Sequence, residues 1–349
     1  MSTENLDSAD LKGVGFGGLI REDVMNKIWD ISKIPLPFTD MVGTGSAKNE
    51  YKEWTQDTLA QPDIANAVVD GSDAVGNNTA TGVRVGNHHQ ISDKVVRVSY
   101  RADASDTIGR AKELSYQLMR RQQELRRDVD AIALVNQASV SDNGDDVAGK
   151  SGGLPSWIST TEMHGVGGAE GGFDVATGLT VARTVGTKRP LTESAVKDVV
   201  EGVYKEGGDP TKLVSMPAVI RKFSEYLFTS SARVATLMSD QGKSAEKATA
   251  LGAVNVFVTD FGTLTMVPNR LQQPYTSAGG TAGDAADVFI LDPSYLELCY
   301  LKGYRTDPLA KTGLAENRHM SVDWTLVVNT EKAHGLIGDV DWTADVTPS

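Results

Sequence analysis

At 349 residues, with 40% hydrophobic and 23% charged side chains, the chain has the make-up of a folded globular protein, long enough for one elaborate domain or two modest ones. A formal net charge of −12 argues against a surface built mainly to grip nucleic acid, which needs clustered Lys and Arg, although ordinary solubility accounts for the acidity equally well. The single cysteine, Cys299, excludes an intrachain disulfide and a cysteine zinc cluster, no apolar run nears the ~20 residues of a membrane span, and no secretory signal is evident, so assembly in a reducing cytoplasm is expected.

Residues 1–49 lack sustained periodicity. They carry Gly13, Gly15, Gly17 and Gly18, a short amphipathic stretch at 23–31, then Pro35 and Pro37. Such a segment buries little alone and reads as an extended arm. Residues 49–103 suggest a long two-stranded excursion. One limb is Glu50-Tyr-Lys-Glu-Trp-Thr55; the other is Lys94-Val-Val-Arg-Val-Ser-Tyr100, with Val96, Val98 and Tyr100 alternating with Val95, Arg97 and Ser99. Residues 65–85 between them are rich in Gly, Asn, Asp and Thr, as a mobile loop tip would be. A projecting hairpin is poorly stable alone and gains from docking on a neighbour.

Ile108, Ala111, Ser115, Leu118, Gln122, Leu125, Val129 and Ile132 recur at steps of three and four, which predicts one long amphipathic helix over 105–137, capped by Ser105. Arg120, Arg121, Arg126 and Arg127 are interleaved with Glu113, Glu124, Asp128 and Asp130, so a solvated, salt-bridged face is expected rather than a nucleic-acid patch. After a loop-like stretch at 141–190, a helix opens at Thr192, with Leu191 stapled to Val196 and an apolar face of Val196, Val199, Val200, Val203 and Tyr204, stopped at Gly207-Gly208. A strand at 212–216 precedes a helix with Pro217 in its first turn and Ile220, Phe223 and Leu227 inward. A small-residue loop at 230–252 leads to a hairpin, 254–259 and 263–267, around Asp260-Phe-Gly262. A strand at 287–291 follows. Met320, Val322, Trp324, Leu326 and Val328 then alternate with Ser321, Asp323 and Thr325, giving a half-buried strand with one core face. Helices and mostly antiparallel strands intermingle without βαβ regularity, so the class is α+β.

No motif for chemistry survives its context. Residues 13–18 match G-x-G-x-x-G, but only a polar segment, 8–12, precedes them where a dinucleotide site needs a strand. His88 and His89 fall on opposite faces of an extended chain, and His164, His319 and His334 are scattered, so no metal set forms. Asp142-Asn-Gly-Asp-Asp146 lacks the spacing and closing Glu of a calcium loop, Asp260-Phe-Gly262 lacks every companion kinase element, and Asn77-Asn78-Thr79 is a sequon by form only. Cys299 sits in an apolar run as a small buried hydrophobe. No catalytic, cofactor-binding or metal-binding residues are expected.

Several segments together resemble one family of phage major head proteins within the Hong Kong 97-type capsid fold. They are Glu53-Trp-Thr-Gln-Asp-Thr-Leu59, Val83-Arg-Val-Gly-Asn-His-His-Gln-Ile91, Gly152-Gly-Leu-Pro-Ser-Trp-Ile158, Asp260-Phe-Gly-Thr-Leu-Thr-Met-Val-Pro-Asn-Arg270, Leu291-Asp-Pro293 and Asp307-Pro-Leu-Ala-Lys-Thr-Gly313. The resemblance implies an N-terminal arm (1–49), an extended β-hairpin loop (50–102), a peripheral domain (103–189) on a spine helix (105–137), an axial domain (190–290) and a return to the peripheral domain (291–349). It implies a major capsid protein of a tailed bacteriophage, self-assembling into hexamers and pentamers of an icosahedral shell. That shell encloses double-stranded DNA without sequence-specific or membrane binding, and the loop tip at 65–85 lies over an adjacent subunit. The arm lies within a few residues of Met1, which implies a separate scaffolding protein or processing. A portal and a decoration protein are further implied partners, the virion the expected location and the host cytoplasm the place of assembly. No Lys, Asn and Glu match the cross-linking pattern of some relatives.

Three alternatives stand beside this expectation. A bacterial nanocompartment shell shares the fold, a nucleotide-binding enzyme would use the N-terminal glycines, and a tail or decoration component would belong to the same virion.

Overall fold

The computed structural model describes residues 35–73, 76, 81–229, 256–311 and 313–346. The glycine segment 13–18, the stretch 23–31, the sequon 77–79, the loop 230–252 and the side chain of Leu227 lie outside the described residues. Strands β1 (Gly43–Ser46), β2 (Tyr51–Gln56), β3 (Val83–His88) and β4 (Gln90–Ser99) lead into a short helix α1 (Tyr100–Ala104) and the long helix α2 (Glu113–Ala133). Strands β5 (Glu162–Met163), β6 (Gly172–Asp174) and β7 (Leu179–Val181) precede α3 (Glu193–Lys205), β8 (Lys212–Ser215) and α4 (Pro217–Thr229). Then come β9 (Val256–Thr259), β10 (Gly262–Pro268), β11 (Ala286–Leu291), β12 (Leu296–Pro308), β13 (Ala315–Val328) and β14 (Gly335–Val340). They form a four-stranded sheet in the order β1-β12-β13-β4 and a six-stranded sheet in the order β5-β14-β11-β8-β10-β9. Two small hairpins, β2-β3 and β6-β7, complete an α+β fold.

The six-stranded sheet is covered on both sides, and alternate residues of its central strands serve two cores. Val288 and Ile290 of β11, Leu213 of β8 and Ile337 of β14 pack with Val196, Val199 and Val200 of α3 and Val219 and Phe223 of α4. Their neighbours Phe289, Leu291, Val214 and Leu336 enter the second core. There they meet Leu125, Val129 and Ala133 of α2, Trp157, and the row Met320, Val322, Trp324, Leu326 and Val328 of β13. Each such large side chain, fully removed from water, contributes about 1.5–3 kcal/mol.

Several expectations change. The long helix starts at Glu113, not near 105, and spans 21 residues, roughly 30 Å at 1.5 Å per residue. Gly109 takes a left-handed φ of 73° and breaks it from α1, whose C-cap is Ser105, so Ile108 and Ala111 continue the stripe in sequence only. The limb β2 pairs with β3, Tyr51 opposite His88. The alternating stretch 94–100 belongs instead to β4 on β13, Val96 opposite Arg318, before the chain turns into α1 at Tyr100. The strand β13 is not half-buried: Val327 and Thr325, on its second face, are also 2% and 0% exposed. Finally, Tyr204 turns outward, 54% exposed, with its ring 5.1 Å from that of Phe261. Within 291–349, β12 and β13 join β1 and β4, and β14 inserts between β5 and β11.

The arginine-rich face of α2 is partly solvated. Arg121 pairs with Glu124, Lys94 lies 2.6 Å from Asp128, and Arg126 stacks over the Tyr304 ring at 5.2 Å. Asp130 departs from the expectation of a solvated face, being wholly buried. Its Oδ1 accepts the amides of Phe38 (3.1 Å) and Thr39 (2.7 Å), and its Oδ2 accepts Asn269 Nδ2 (3.2 Å). Burial raises its pKa while these donors oppose the shift. One carboxylate thus fixes the incoming chain to α2 and to the strand end after β10.

A second polar cluster ties β5, β11 and β14 to the segment after β7. Buried Arg183 reaches Asp287 Oδ1 at 2.7 Å, Asp339 Oδ1 at 3.3 Å and Glu162 Oε1 at 3.8 Å. Tyr275 donates to Asp287 (2.6 Å), and Asp339 holds the amides of Gly165 and Gly186 at 2.9 Å each. Asp339 itself takes a φ of 60°, a left-handed conformation that Asp tolerates better than most residues. Burial pushes Glu162 up to about 7, with the charge of Arg183 opposing and that of Asp287 adding.

Two outcomes follow from these clusters. Asp130→Ala strands two buried amides and an Asn amide, and is expected to lower stability by about 3 kcal/mol; denaturant titration with hydrogen exchange at Phe38 and Thr39 checks this, and a loss below ~0.5 kcal/mol contradicts it. For Glu162, a folded value of about 7 against an ordinary 4.5 means that the unfolded chain ionises first. Its contribution to stability is therefore greatest below pH ~4.5 and is lost as pH rises through ~7, by about 3 kcal/mol. Glu162→Gln should remove that decline between pH 5 and 8, with Arg183, Asp287, Asp339, Tyr275 and His164 unchanged around it. Parallel slopes for the two proteins in pH-resolved unfolding contradict the assignment.

Candidate functional site

The hairpin β2-β3 is rooted firmly and ends in open solvent. At its root, Trp54 meets Trp157 with ring centroids 5.3 Å apart, and Trp157 stacks on Phe173 at 5.6 Å. The Tyr51 ring lies 4.6 Å from that of His88, and its hydroxyl donates to Gly178 O at 2.7 Å. The Tyr51 ring lies across Gly86: a Cβ there would fall 2.5 Å from Tyr51 Cζ, so only glycine lets the ring cross the partner strand. Gln56 Nε2 donates to Asn329 O at 2.9 Å, which places the outer end of the hairpin beside the last residue of β13.

Asn87, wholly buried, joins the root to the second face of β13. Its Nδ2 donates to Leu326 O (2.7 Å), Ser151 Oγ (3.2 Å) and Gly152 O (3.3 Å), and its Oδ1 accepts Gly152 N (2.8 Å). Thr325 Oγ1 donates to His88 O at 2.9 Å. These bonds explain why the second face of β13 buries polar residues. They also give a physical reason for the Gly-Gly-Leu-Pro-Ser-Trp-Ile segment, because a Cβ on Gly153 would sit 1.9 Å from Val135 O while Leu154, Trp157 and Ile158 fill the core.

His88 and His89 diverge, as adjacent extended residues do. His88 lies against Tyr51, whereas the buried His89 has Nδ1 3.0 Å from Asp323 Oδ1. Burial lowers the pKa of both; Asp323 opposes the effect at His89. His334 is buried and held down to about 4, and its Nδ1 accepts the Asp292 amide, as a neutral imidazole can. Asp142 to Asp146 form an exposed turn, with Asn143 Nδ2 on Asp146 Oδ1 at 2.7 Å. Asp260-Phe-Gly262 is the β9-β10 turn, closed by Thr259 Oγ1 on Gly262 O at 2.9 Å. Cys299 is buried opposite Gly45 of β1. Among the described residues, no three His, Cys, Asp or Glu side chains converge on a metal position. No helix among them is long and apolar enough to cross a membrane.

Beyond Gln56 the chain runs without strand or helix, and every residue from 57 to 73 is exposed. Leu59 and Ile64 are essentially fully exposed, and Val68 and Val69 are 84% and 79% exposed. Four large aliphatic side chains on one segment, left uncovered among the described residues, mark an interaction surface. Sequence patterning placed the loop tip at 65–85, short of the exposed Leu59 and Ile64 and running into β3 at Val83; it missed Asn87, since a lone Asn in a strand carries no signal of its partners.

Comparison with known proteins agrees with this geometry. A family model described as SU10 major capsid protein matches residues 3–341. The major capsid protein of Escherichia phage Phieco32 is 34% identical over 139 residues, a match spanning 40% of this chain and 40% of that protein. The capsid of a native GTA particle superposes with a TM-score of 0.57 at 14% identity, covering 96% of this chain and 100% of that one. The encapsulin of Synechococcus elongatus gives a TM-score of 0.54 at 13% identity, covering 93% and 95%. At such identities these two likenesses concern the fold, which is the Hong Kong 97-type capsid fold. With the family model matched along nearly its whole length, the chain belongs to the SU10 major capsid protein family, a family of structural capsid proteins and not of enzymes.

Proposed function

We propose that this chain is the shell-building subunit of a tailed-phage particle, assembling with its own copies into hexamers and pentamers around double-stranded DNA. The observation that carries this reading is the loop beyond Gln56, rooted rigidly at Asn87 and Trp54 yet presenting Leu59, Ile64, Val68 and Val69 to solvent. An isolated two-stranded projection with bare aliphatic side chains gains its stability from a neighbour. In this reading the four-stranded sheet and α2 form the peripheral domain, and α3, α4 and the six-stranded sheet form the axial domain at the capsomer centre. Residues 1–49 are proposed as the arm, its end tied down where Phe38 enters the core and β1 joins the four-stranded sheet. A scaffolding protein, a portal and a decoration protein belong to the same proposal, as do assembly in the host cytoplasm and the absence of any catalytic, cofactor or metal site.

Electron microscopy of the expressed protein, alone and with its scaffold, tests the reading. Shells, tubes or capsomers are expected. A monodisperse monomer under both conditions contradicts it. Particles that form in the phage without an enclosed genome would favour a nanocompartment, which shares the fold.

A further inference from the structure

The two large sheets end in four edge strands, one of them much longer than the rest. β1 has four residues, β5 two and β9 four, which leaves little ladder open. β4 has ten and pairs with β13 along its whole length without a bulge. Tyr100 N donates to Leu314 O just beyond that ladder. The even-numbered residues of β4 therefore bond to β13, and the odd-numbered ones turn their N–H and C=O groups to the free edge. Among the described residues no strand pairs with that edge. An open groove of about 250 Å³ separates residues 95–99 from Glu113, Gln117 and Arg121 of α2, so the helix does not close it. The odd-numbered side chains, Ile91, Asp93, Val95, Arg97 and Ser99, are all exposed, Ile91 at 66% and Val95 at 51%. Asp93 Oδ2 lies 3.1 Å from His319 Nε2, and Arg97 has no ion-pair partner among the described residues.

We propose that β4 pairs with β4 of a second copy across a two-fold axis, antiparallel and centred on Val95, joining two four-stranded sheets into one continuous sheet. This rests on the shell-building reading and deepens it, because it names a contact between capsomers rather than within one. The residues of the edge select both the occupant and the register. With Val95 opposite Val95, Asp93 falls opposite Arg97 of the second copy, and Arg97 opposite its Asp93, with Cβ atoms ~5 Å apart. Centred on Asp93 or on Arg97, the same strand would set like charges face to face. The pairing covers Ile91 and Val95 and satisfies the outward N–H and C=O groups of a strand that neither proline nor a bulge protects. A surface that meets its own copy in this way closes on a pair and builds no ring. It therefore links subunits that belong to neighbouring rings.

The test uses the full chain in assembled particles. Val95→Cys sets two thiols face to face at the ~5.5 Å Cα spacing of a hydrogen-bonded pair, within reach of a disulfide. Mild oxidation should link most subunits of such particles into dimers and few unassembled subunits, while the unaltered protein, whose Cys299 is buried, forms none. Charge reversal provides the second arm. Asp93→Arg and, separately, Arg97→Asp should each cut the assembled fraction at least ~10-fold at low salt. Both changes in one chain exchange the charges across the pair and should restore most of it, which unfolding of either parent variant would not allow. Val95→Cys particles that stay unlinked overturn the proposal, as does a double variant no better than its parents. A benzophenone attached at that thiol reports any other occupant. Adducts within residues 90–99 are expected; adducts on residues 1–34 or on a different virion protein overturn the pairing. Particles that form without the link sink this contact alone, whereas failure of the unaltered protein to assemble sinks the shell-building reading beneath it.

Discussion

The strand β11 carries the structure, because both of its faces are buried and each belongs to a different core. Val288 and Ile290 face α3 and α4, while Phe289 and Leu291 face the side of α2 and β13. The two cores cannot move independently when consecutive residues of one strand are committed to both, so the two large sheets behave as a single body. Two-sided burial also forces polar groups inside. Asp287 lies in this same strand, and it is tolerable only because the Arg183 guanidinium and the Tyr275 hydroxyl gather on it, against the repulsion of the neighbouring Asp339. The cluster therefore follows from the sheet's position and needs no catalytic purpose.

Against that rigid body the loop beyond Gln56 is a deliberate contrast. Its root is fixed by aromatic stacking and by the four bonds of Asn87, so its direction is set, whereas residues 57–73 make no core at all. The combination fits a subunit whose exposed aliphatic loop is covered by another copy, and it links the exposed aliphatic side chains to the family in which the chain falls. An enzyme reading finds no comparable anchor: His88 and His89 separate, and Asp287 and Asp339 of the buried cluster are held by Arg183 and Tyr275.

What was legible in the sequence was local. The Thr192 cap, the Val196-Val199-Val200-Val203 face and the Asp260-Phe-Gly262 turn depend on neighbours a few residues away, and each forms where the pattern places it. Long-range pairing was not legible. The alternation of residues 94–99 is real, but its partner lies more than 200 residues later, in β13, and nothing local distinguishes that strand from a hairpin limb. Helix α2 was read too long because Ile108 and Ala111 stay in phase with its stripe while Gly109 breaks the backbone. Asp130 looked like one more member of a charged face, since the amides of Phe38 and Thr39 that claim it come from a segment with no periodicity. The loop was legible by composition alone, because a segment that joins no core among the described residues leaves only composition to read.

The central claim is that residues 57–73 are completed by another copy of the chain. Hydrogen exchange of that segment, compared between unassembled subunits and assembled particles, tests it most directly. The account predicts exchange near the unprotected rate in subunits and strong slowing in particles, with the root around Asn87 protected in both. Equal exchange of residues 57–73 in the two states would contradict it.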